Sequence, residues 1–191
     1  SSVREILKSA VLKGLNAISI TDHNTLNGSL EAIEIVQEEH LPIIVIRGVE
    51  ISTAQGHLLA YGIDREIDKG IDLIEAVNLI RYLGGITSLA HPFQFYRHGA
   101  IRLKFFKVVD CIEVFNARSL PLFNSLSNFF RKRYKKGLTA GSDAHHKDLV
   151  GSGYVLLNLK DLNEKEILNA LRYGRCDFGG VLSGHLWRFK C

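Results

Sequence analysis

No methionine occurs among these 191 residues, and cysteine (three), proline (three) and tryptophan (one) are sparse. The cysteines, Cys111, Cys176 and Cys191, are odd in number and widely spaced. That argues against a disulfide framework and predicts a reduced, cytoplasmic protein. Apolar runs are short throughout. None approaches the ~18–20 residues of a membrane span, so no membrane partner is expected. The opening Ser1-Ser2-Val3-Arg4-Glu5 lacks the basic start and apolar centre of a signal peptide. Repeats, low-complexity tracts and a domain linker are also missing, which predicts one domain over residues 1–191. Initiator removal would explain the first residue but not the complete lack of Met, so we expect an N-terminal piece to be missing.

What is present is ordinary for a globular chain: 46% hydrophobic and 23% charged residues. A chain of this length buries roughly 70% of the surface its unfolded form exposes. Lys plus Arg is 24 against 20 for Asp plus Glu, a net charge of +4. The bias is mild and compatible with an anionic substrate.

Two kinds of segment alternate. Val3 to Lys13 carries a helical apolar stripe closed by Gly14, and Ala17 to Thr21 is a β-branched run that predicts a strand. A helix is expected over Leu30 to Glu39, ended by Pro42, then a long strand over Ile43 to Val49 and another over Gly56 to Gly62. Asp72 to Leu83 is an amphipathic helix stopped by Gly84-Gly85, Ile86 to Ala90 a strand, and Phe93 to Gly99 an aromatic loop. Cys111 to Phe115, Leu138 to Ala140 and Tyr154 to Leu159 predict further strands. Helices are expected over Leu122 to Lys135 and Asn163 to Tyr173, the latter capped by Asn163 with Glu166 in capping-box position. The tail 177–191 has no assignable pattern. Apolar strands alternating with helices predict a parallel sheet covered on its outside, and six or seven such strands favour a closed or nearly closed barrel over an open sheet.

The polar residues just beyond these strands form a set. Asp22 and His23 follow the first, with Asn24, Thr25 and Gly28 as its exit turn. Glu50 follows the second and His91 the run Ile86 to Ala90. Glu113 and Asn116 lie in and at the end of Ile112-Glu113-Val114-Phe115-Asn116, and Asp143 and His145 follow the run ending at Ala140. In a parallel α/β barrel all C-terminal strand ends face one side, where active sites lie, so these residues would share one bowl. Imidazoles with carboxylates are the usual ligands of zinc, manganese or iron, whereas calcium and magnesium prefer oxygen alone. Several His and at least two carboxylates exceed the needs of one tetrahedral ion, which points to two or three metals with a bridging carboxylate.

These stretches resemble the PHP (polymerase and histidinol phosphatase) superfamily. The resemblance rests on ITDHNTLNG, GVEIST followed by GHLLAYG, AHP, IEVFN and TAGSDAH in that order, with VGSGY and LNALRYGR later. It implies an α/β fold, a distorted (β/α)7 barrel, holding two or three divalent ions (Mn, Zn or Fe). It implies His23, Glu50, His57, His91, Asp143 and His145 as metal ligands, with Glu50 bridging. Asp22 would orient the site, and Asp22, Glu50 and Asp143 form the expected catalytic carboxylates. Asn116 falls near a position that supplies a third ligand in some members, although Asn is a poor ligand for a transition metal. The family opens with a strand carrying an Asp-Leu-His-X-His-type motif. Nothing like it precedes Ser1, a departure that fits an omitted segment.

The implied activity is phosphoester hydrolysis by metal-activated hydroxide. Arg97 and His98, after AHP, and Arg118, after IEVFN, are the candidates for holding phosphate, since the planar guanidinium can donate two hydrogen bonds. The expected substrates are nucleotides or short oligonucleotides, on the strength of His57 and the Arg97 loop. Alternatives are a small-metabolite phosphatase of histidinol-phosphatase type and a non-catalytic scaffold or binding subunit. His40, His146 and His185 read as ordinary histidines. FFRKRYKK, Phe129 to Lys136, interleaves aromatics with five cations, but reads more simply as a helix end whose cations complement the dipole while its aromatics face the core.

Overall fold

A computed structural model of the chain describes residues 1–183; His185 and the rest of the tail lie outside the described residues. Helix α1 (Val3–Leu12) is fixed at its start by a full capping box. Ser2 Oγ accepts the Glu5 amide at 3.3 Å and the Glu5 carboxylate accepts the Ser2 amide at 3.1 Å. Its stripe, Leu7 and Ala10, packs with Ala32 and Ile35 of α2 (Asn27–Glu38) and with Ile43 and Val150.

Strand β1 is only Ala17–Ile18, parallel to β2 (Ile44–Val45). The long run Ile43 to Val49 is therefore not one strand. Ile46 still donates to Ile18 O at 2.8 Å, while the carbonyl of Arg47 already accepts Gly62 N at 2.8 Å. The chain changes partners there and continues as β3 (Gly48–Thr53), which pairs with β4 (Gly56–Tyr61).

The all-parallel expectation fails at β4. Residues Ala54 and Gln55 alone connect β3 to β4, too few for a parallel crossover, so the two form an antiparallel hairpin. Strand β4 is antiparallel to β5 (Ile86–Leu89) as well, and only β5, β6 (Cys111–Asn116) and β7 (Gly137–Gly141) run parallel. Together they make a five-stranded mixed sheet in chain order. Strands β8 (Gly153–Leu157) and β9 (Cys176–Gly180) form an antiparallel pair that packs on β7, so β9 takes up part of the tail that had no pattern.

Helix α3 (Leu73–Tyr82) starts at Asp72, whose carboxylate accepts the Ile74 and Glu75 amides; such a cap is worth about 1 kcal/mol. Helix α4 (Leu103–Val108), which sequence periodicity missed, is six residues long and buries Phe105 and Phe106 completely. Helix α5 (Pro121–Tyr134) opens with proline at its first turn. Asn163 caps α6 (Glu164–Arg172) by accepting the Glu166 amide at 2.9 Å. The main core joins Leu58, Leu89 and Ile112 of the sheet to Phe105 and Phe106, with Phe93, Phe130 and Tyr134 stacked beside them. Phe130 and Tyr134 thus face the core as expected, whereas Phe129 is 60% exposed. At the other end of α2, His40 Nδ1 lies 2.7 Å from the carbonyl of Gln37, so this imidazole serves the helix terminus. No helix among the described residues is long and apolar enough to cross a membrane.

Candidate metal centre

The reversed strand explains how His57 joins the other strand ends. Because β4 runs against its neighbours, its beginning reaches the rim where β3 and β5 finish. His57 pairs in register with Ser52, and its carbonyl accepts Ala90 N at 3.3 Å. Glu50 stands on β3 one bridge away from the segment after β1. Its amide donates to Asp22 O at 3.0 Å and its carbonyl accepts Asn24 N at 2.9 Å, across an isolated parallel bridge to His23.

Three imidazoles consequently surround one carboxylate. His57 Nδ1 and His91 Nε2 lie 2.9 and 3.0 Å from Glu50 Oε1, and His23 Nε2 lies 3.8 Å from Oε2. The rings of His23 and His57, and of His57 and His91, meet edge to face at 4.9 and 5.3 Å. Burial raises the Glu50 carboxyl, but the imidazoles of His57 and His91 outweigh it and hold the group well below the usual carboxylate range.

Asp143 centres a second group. Arg97 Nη2 donates to Oδ2, Arg118 Nη1 to Oδ1 at 3.2 Å, and Asn116 Nδ2 to Oδ2 at 3.1 Å; His145 Nδ1 stands 3.7 Å from Oδ1. Burial raises this carboxyl too, and Arg97 first, then Asn116 and Arg118, bring it below its ordinary value.

Glu113 connects the two groups. Buried on β6, it accepts the His91 amide at 2.6 Å and receives Asn116 Nδ2 at 3.2 and 3.3 Å. In a regular strand Glu113 and Asn116, three apart, would face opposite sides. A register shift between Glu113 and Phe115 puts both on the site side. Burial pushes the Glu113 carboxyl up to about 7, despite the opposing effect of His91. Local backbone is held unusually here: His91, His98 and Asp143 have φ of +28°, +55° and +49°, conformations that cost about 1–3 kcal/mol each and cluster at functional sites.

The sequence-predicted residues divide as follows. His23, Glu50, His57 and His91 come together, and so do Asp143, His145, Arg97, Arg118 and Asn116. Among the described residues, the Asp22 side chain makes no hydrogen bond or ion pair with either group, and its carbonyl supports Glu50 instead. His98 packs its ring 5.7 Å from that of His57. Gly28 does not belong to an exit turn: it lies in the first turn of α2, where a Cβ would stand 2.1 Å from Asp22 Oδ2. The sequence pattern places Glu113 in the shared bowl without a particular task and gives Gln94 no place there. Fully buried, Gln94 accepts Arg97 Nη1 at 3.3 Å and donates to Ser119. A carboxylate inside an otherwise apolar strand was the available signal for Glu113. Gln94 gave none.

The donors fit a divalent cation. Ligand atoms of His23, Glu50 and His57 lie within 4.8 Å of one another. His57 Nδ1, although near Glu50, is outside hydrogen-bond geometry, and both it and His91 Nδ1 are buried without a hydrogen-bond partner. Two orphaned imidazole nitrogens beside a low-pKa carboxylate cost stability unless another electrophile meets them. Nitrogen with oxygen is the donor set of zinc, manganese and iron.

Residues 121–176 match the family described as PHP-associated. An uncharacterized protein of Methanocaldococcus jannaschii is 33% identical over an alignment covering 66% of this chain, and the chain spans only 60% of that relative's length. The fold is similar to that of a two-domain Bacteroides vulgatus protein containing a predicted PHP-like metal-dependent phosphoesterase. The TM-score is 0.76 at 19% identity, covering 94% of this chain and 60% of the other. A predicted metal-dependent phosphoesterase of Bifidobacterium adolescentis gives 0.63 at 16% identity, covering 90% and 91%.

Proposed function

We propose that this chain is a member of the PHP superfamily and carries out metal-dependent hydrolysis of phosphate esters, with nucleotides or short oligonucleotides as substrates, a reading supported by the match over residues 121–176 and by the shared fold. The observation that carries this reading is the Glu50 carboxylate, met by imidazoles from three different segments within 3.8 Å. His23, Glu50, His57 and His91 would hold one ion, with Glu50 shared, and Asp143 with His145 would complete the set. Two or three divalent ions, when bound, supply charge neutralisation and a water acidified from 15.7 to about 7. We read the three sheets as parts of a distorted (β/α)7 barrel, with the His23–Glu50 bridge joining the β1–β2 pair to the larger sheet.

The chain's own groups supply the rest. Arg97 and Arg118, both within reach of Asp143, are placed to exchange that carboxylate for phosphoryl oxygens and so orient the ester. Gln94 steers the Arg97 fork, and Glu113 fixes the peptide that carries His91. The odd number and wide spacing of the three cysteines are the ground for the cytoplasmic location we assign.

Metal analysis of the full-length protein, with assay of nucleotide esters, tests the reading. Two or three Mn, Zn or Fe ions per chain are expected, with loss of hydrolysis in Glu50→Ala while circular dichroism is retained. A protein that binds no divalent ion, or a Glu50→Ala variant that still hydrolyses esters, defeats it.

A further inference from the structure

Charge is segregated along this chain. Residues 76–142 contain eleven Lys/Arg and two Asp/Glu, whereas the remainder contains thirteen and eighteen. Neither carboxylate offsets the surface. Asp110 is taken up by Arg81 at 3.0 Å and by Thr87, and Glu113 is buried in the site. The face built by α4 and α5, which pack side by side, therefore presents mainly exposed cations, with the Asp72 carboxylate at the start of α3 as the acidic neighbour of Lys104.

That face begins at a groove. A cavity of about 460 Å³ opens beside His57 and is lined on its outer side by Phe95, His98, Ile101 and Arg102. Phe95 and Ile101 are 73% and 55% exposed, apolar faces in contact with water. Arg102 is the residue from which α4 starts, and the exposed Lys104 and Lys107 continue along it. Lys107 stands 5.9 Å from the Tyr134 ring, and Lys136 Nζ donates to Lys107 O at 2.7 Å, so the basic end of α5 joins the same track. Lys132, Arg133 and Lys135 lie exposed there. Helix-end chemistry accounts for the aromatics of this segment but not for the excess of cations that reaches back to the groove.

We propose that this cationic face binds single-stranded nucleic acid, running from the groove at His57 along α4 to the end of α5, with a terminal base against Phe95 and Ile101. A backbone-tracking basic surface with stacking side chains is what sequence-tolerant single-strand binding requires. A lipid surface would use the cations with Phe95 and Ile101, but not the polar wall of Ser52, Gln55, His57 and His98 on which a nucleotide can hydrogen-bond. That the strand's end is a substrate rests on the phosphoesterase reading; its binding to the face does not.

The test is fluorescence anisotropy of labelled ten-residue oligothymidylate with the full-length protein in EDTA, between 50 and 200 mM salt. Lys104→Glu with Lys107→Glu is expected to weaken binding about tenfold at 50 mM. The slope of log K against log salt should become shallower by about 1.4, two phosphates at 0.7 each. Phe95→Ala should cost about fivefold or more. Hydrolysis of the p-nitrophenyl ester of thymidine 5′-monophosphate should be unchanged in the lysine variant. Unchanged affinity and slope overturn the proposal. So does loss confined to phosphatidylserine vesicles, which would make the face a lipid surface. Salt-dependent binding without hydrolysis of any ester would defeat the phosphoesterase reading and leave the face standing. Hydrolysis with salt-insensitive binding would do the reverse.

Discussion

The carboxylate of Glu113 accepts the backbone amide of His91 at 2.6 Å, and through Asn116 the same carboxylate is tied to Asp143. The buried acid thus sets the peptide that carries one imidazole and, by a shared amide, the position of the second carboxylate. A metal site with two halves needs such a connection, since ligands held about 1 Å too loosely fail to share an ion.

Glu113 should make the metal-free protein less stable as pH rises. Its carboxyl sits at about 7 in the folded chain against 4.5 ordinarily, so the native state keeps the proton longer than the unfolded one. The contribution is complete below the ordinary value and is lost as pH rises through 7, a swing on the order of 3 kcal/mol. Glu113→Gln removes the titration while keeping an oxygen for the His91 amide. In EDTA, urea midpoints of the variant and wild type should agree near pH 4.5, and the variant should be the more stable at pH 8. A variant less stable at pH 8 would mean that the fold favours the ionised carboxylate and does not raise this group.

Arg97 should matter to substrate binding more than to turnover. Its guanidinium is held between Gln94 and Asp143, a geometry suited to bidentate contact. Lysine keeps the charge and loses the fork. For Arg97→Lys we expect KM for a nucleotide ester to rise roughly tenfold, about 1.4 kcal/mol, with kcat nearly retained. A fall in kcat alone would place Arg97 on Asp143 rather than on the phosphoryl group.

Much of this site was legible because its parts are short and local. Asp22-His23 and Asp143-His145 follow short strands at abrupt polarity changes, Glu50 breaks an apolar run inside β3, and helix caps such as Asp72 and Asn163 carry their own chemistry. What escaped was set by pairing. Ala54-Gln55 lacks the Asn-Gly or Asp-Gly signature of a tight hairpin, so the reversal of β4 had no strong local mark. The switch of partner at Arg47 is invisible to hydropathy, because both halves of the run are apolar. Helix α4 is too short for a period to emerge, and the bulge after Glu113 shows only in the ladder.

Divalent ions should stabilise the fold through Glu50. Binding only to the native state raises stability by about 2.7 kcal/mol at a free concentration 100 times the Kd. Thermal melts with Mn or Zn against EDTA should show the upward shift in wild type and its loss in Glu50→Gln. An equal shift in both proteins would put the ion elsewhere.

Gly137 should prove indispensable for a reason unconnected with turns. It opens β7, the strand that leads to Asp143, and α6 ends directly over it. A Cβ there would lie 2.2 Å from the carbonyl oxygen of Leu171 and 2.5 Å from that of Arg172. Backbone atoms cannot swing aside as a side-chain tip can, so α6 has to lift from the sheet. Overpacking of this kind costs typically about 1–3 kcal/mol. For a chain of this size Gly137→Ala should then lower Tm by roughly 2–4 °C per kcal/mol. At Gly141, four residues on, the nearest atom to a Cβ is Glu113 Oε1 at 3.5 Å, an ordinary contact. Gly141→Ala is therefore the control, expected within about 0.5 kcal/mol of wild type. Equal melting of the two variants would show that the end of α6 yields freely and that its packing does not hold β7 in place.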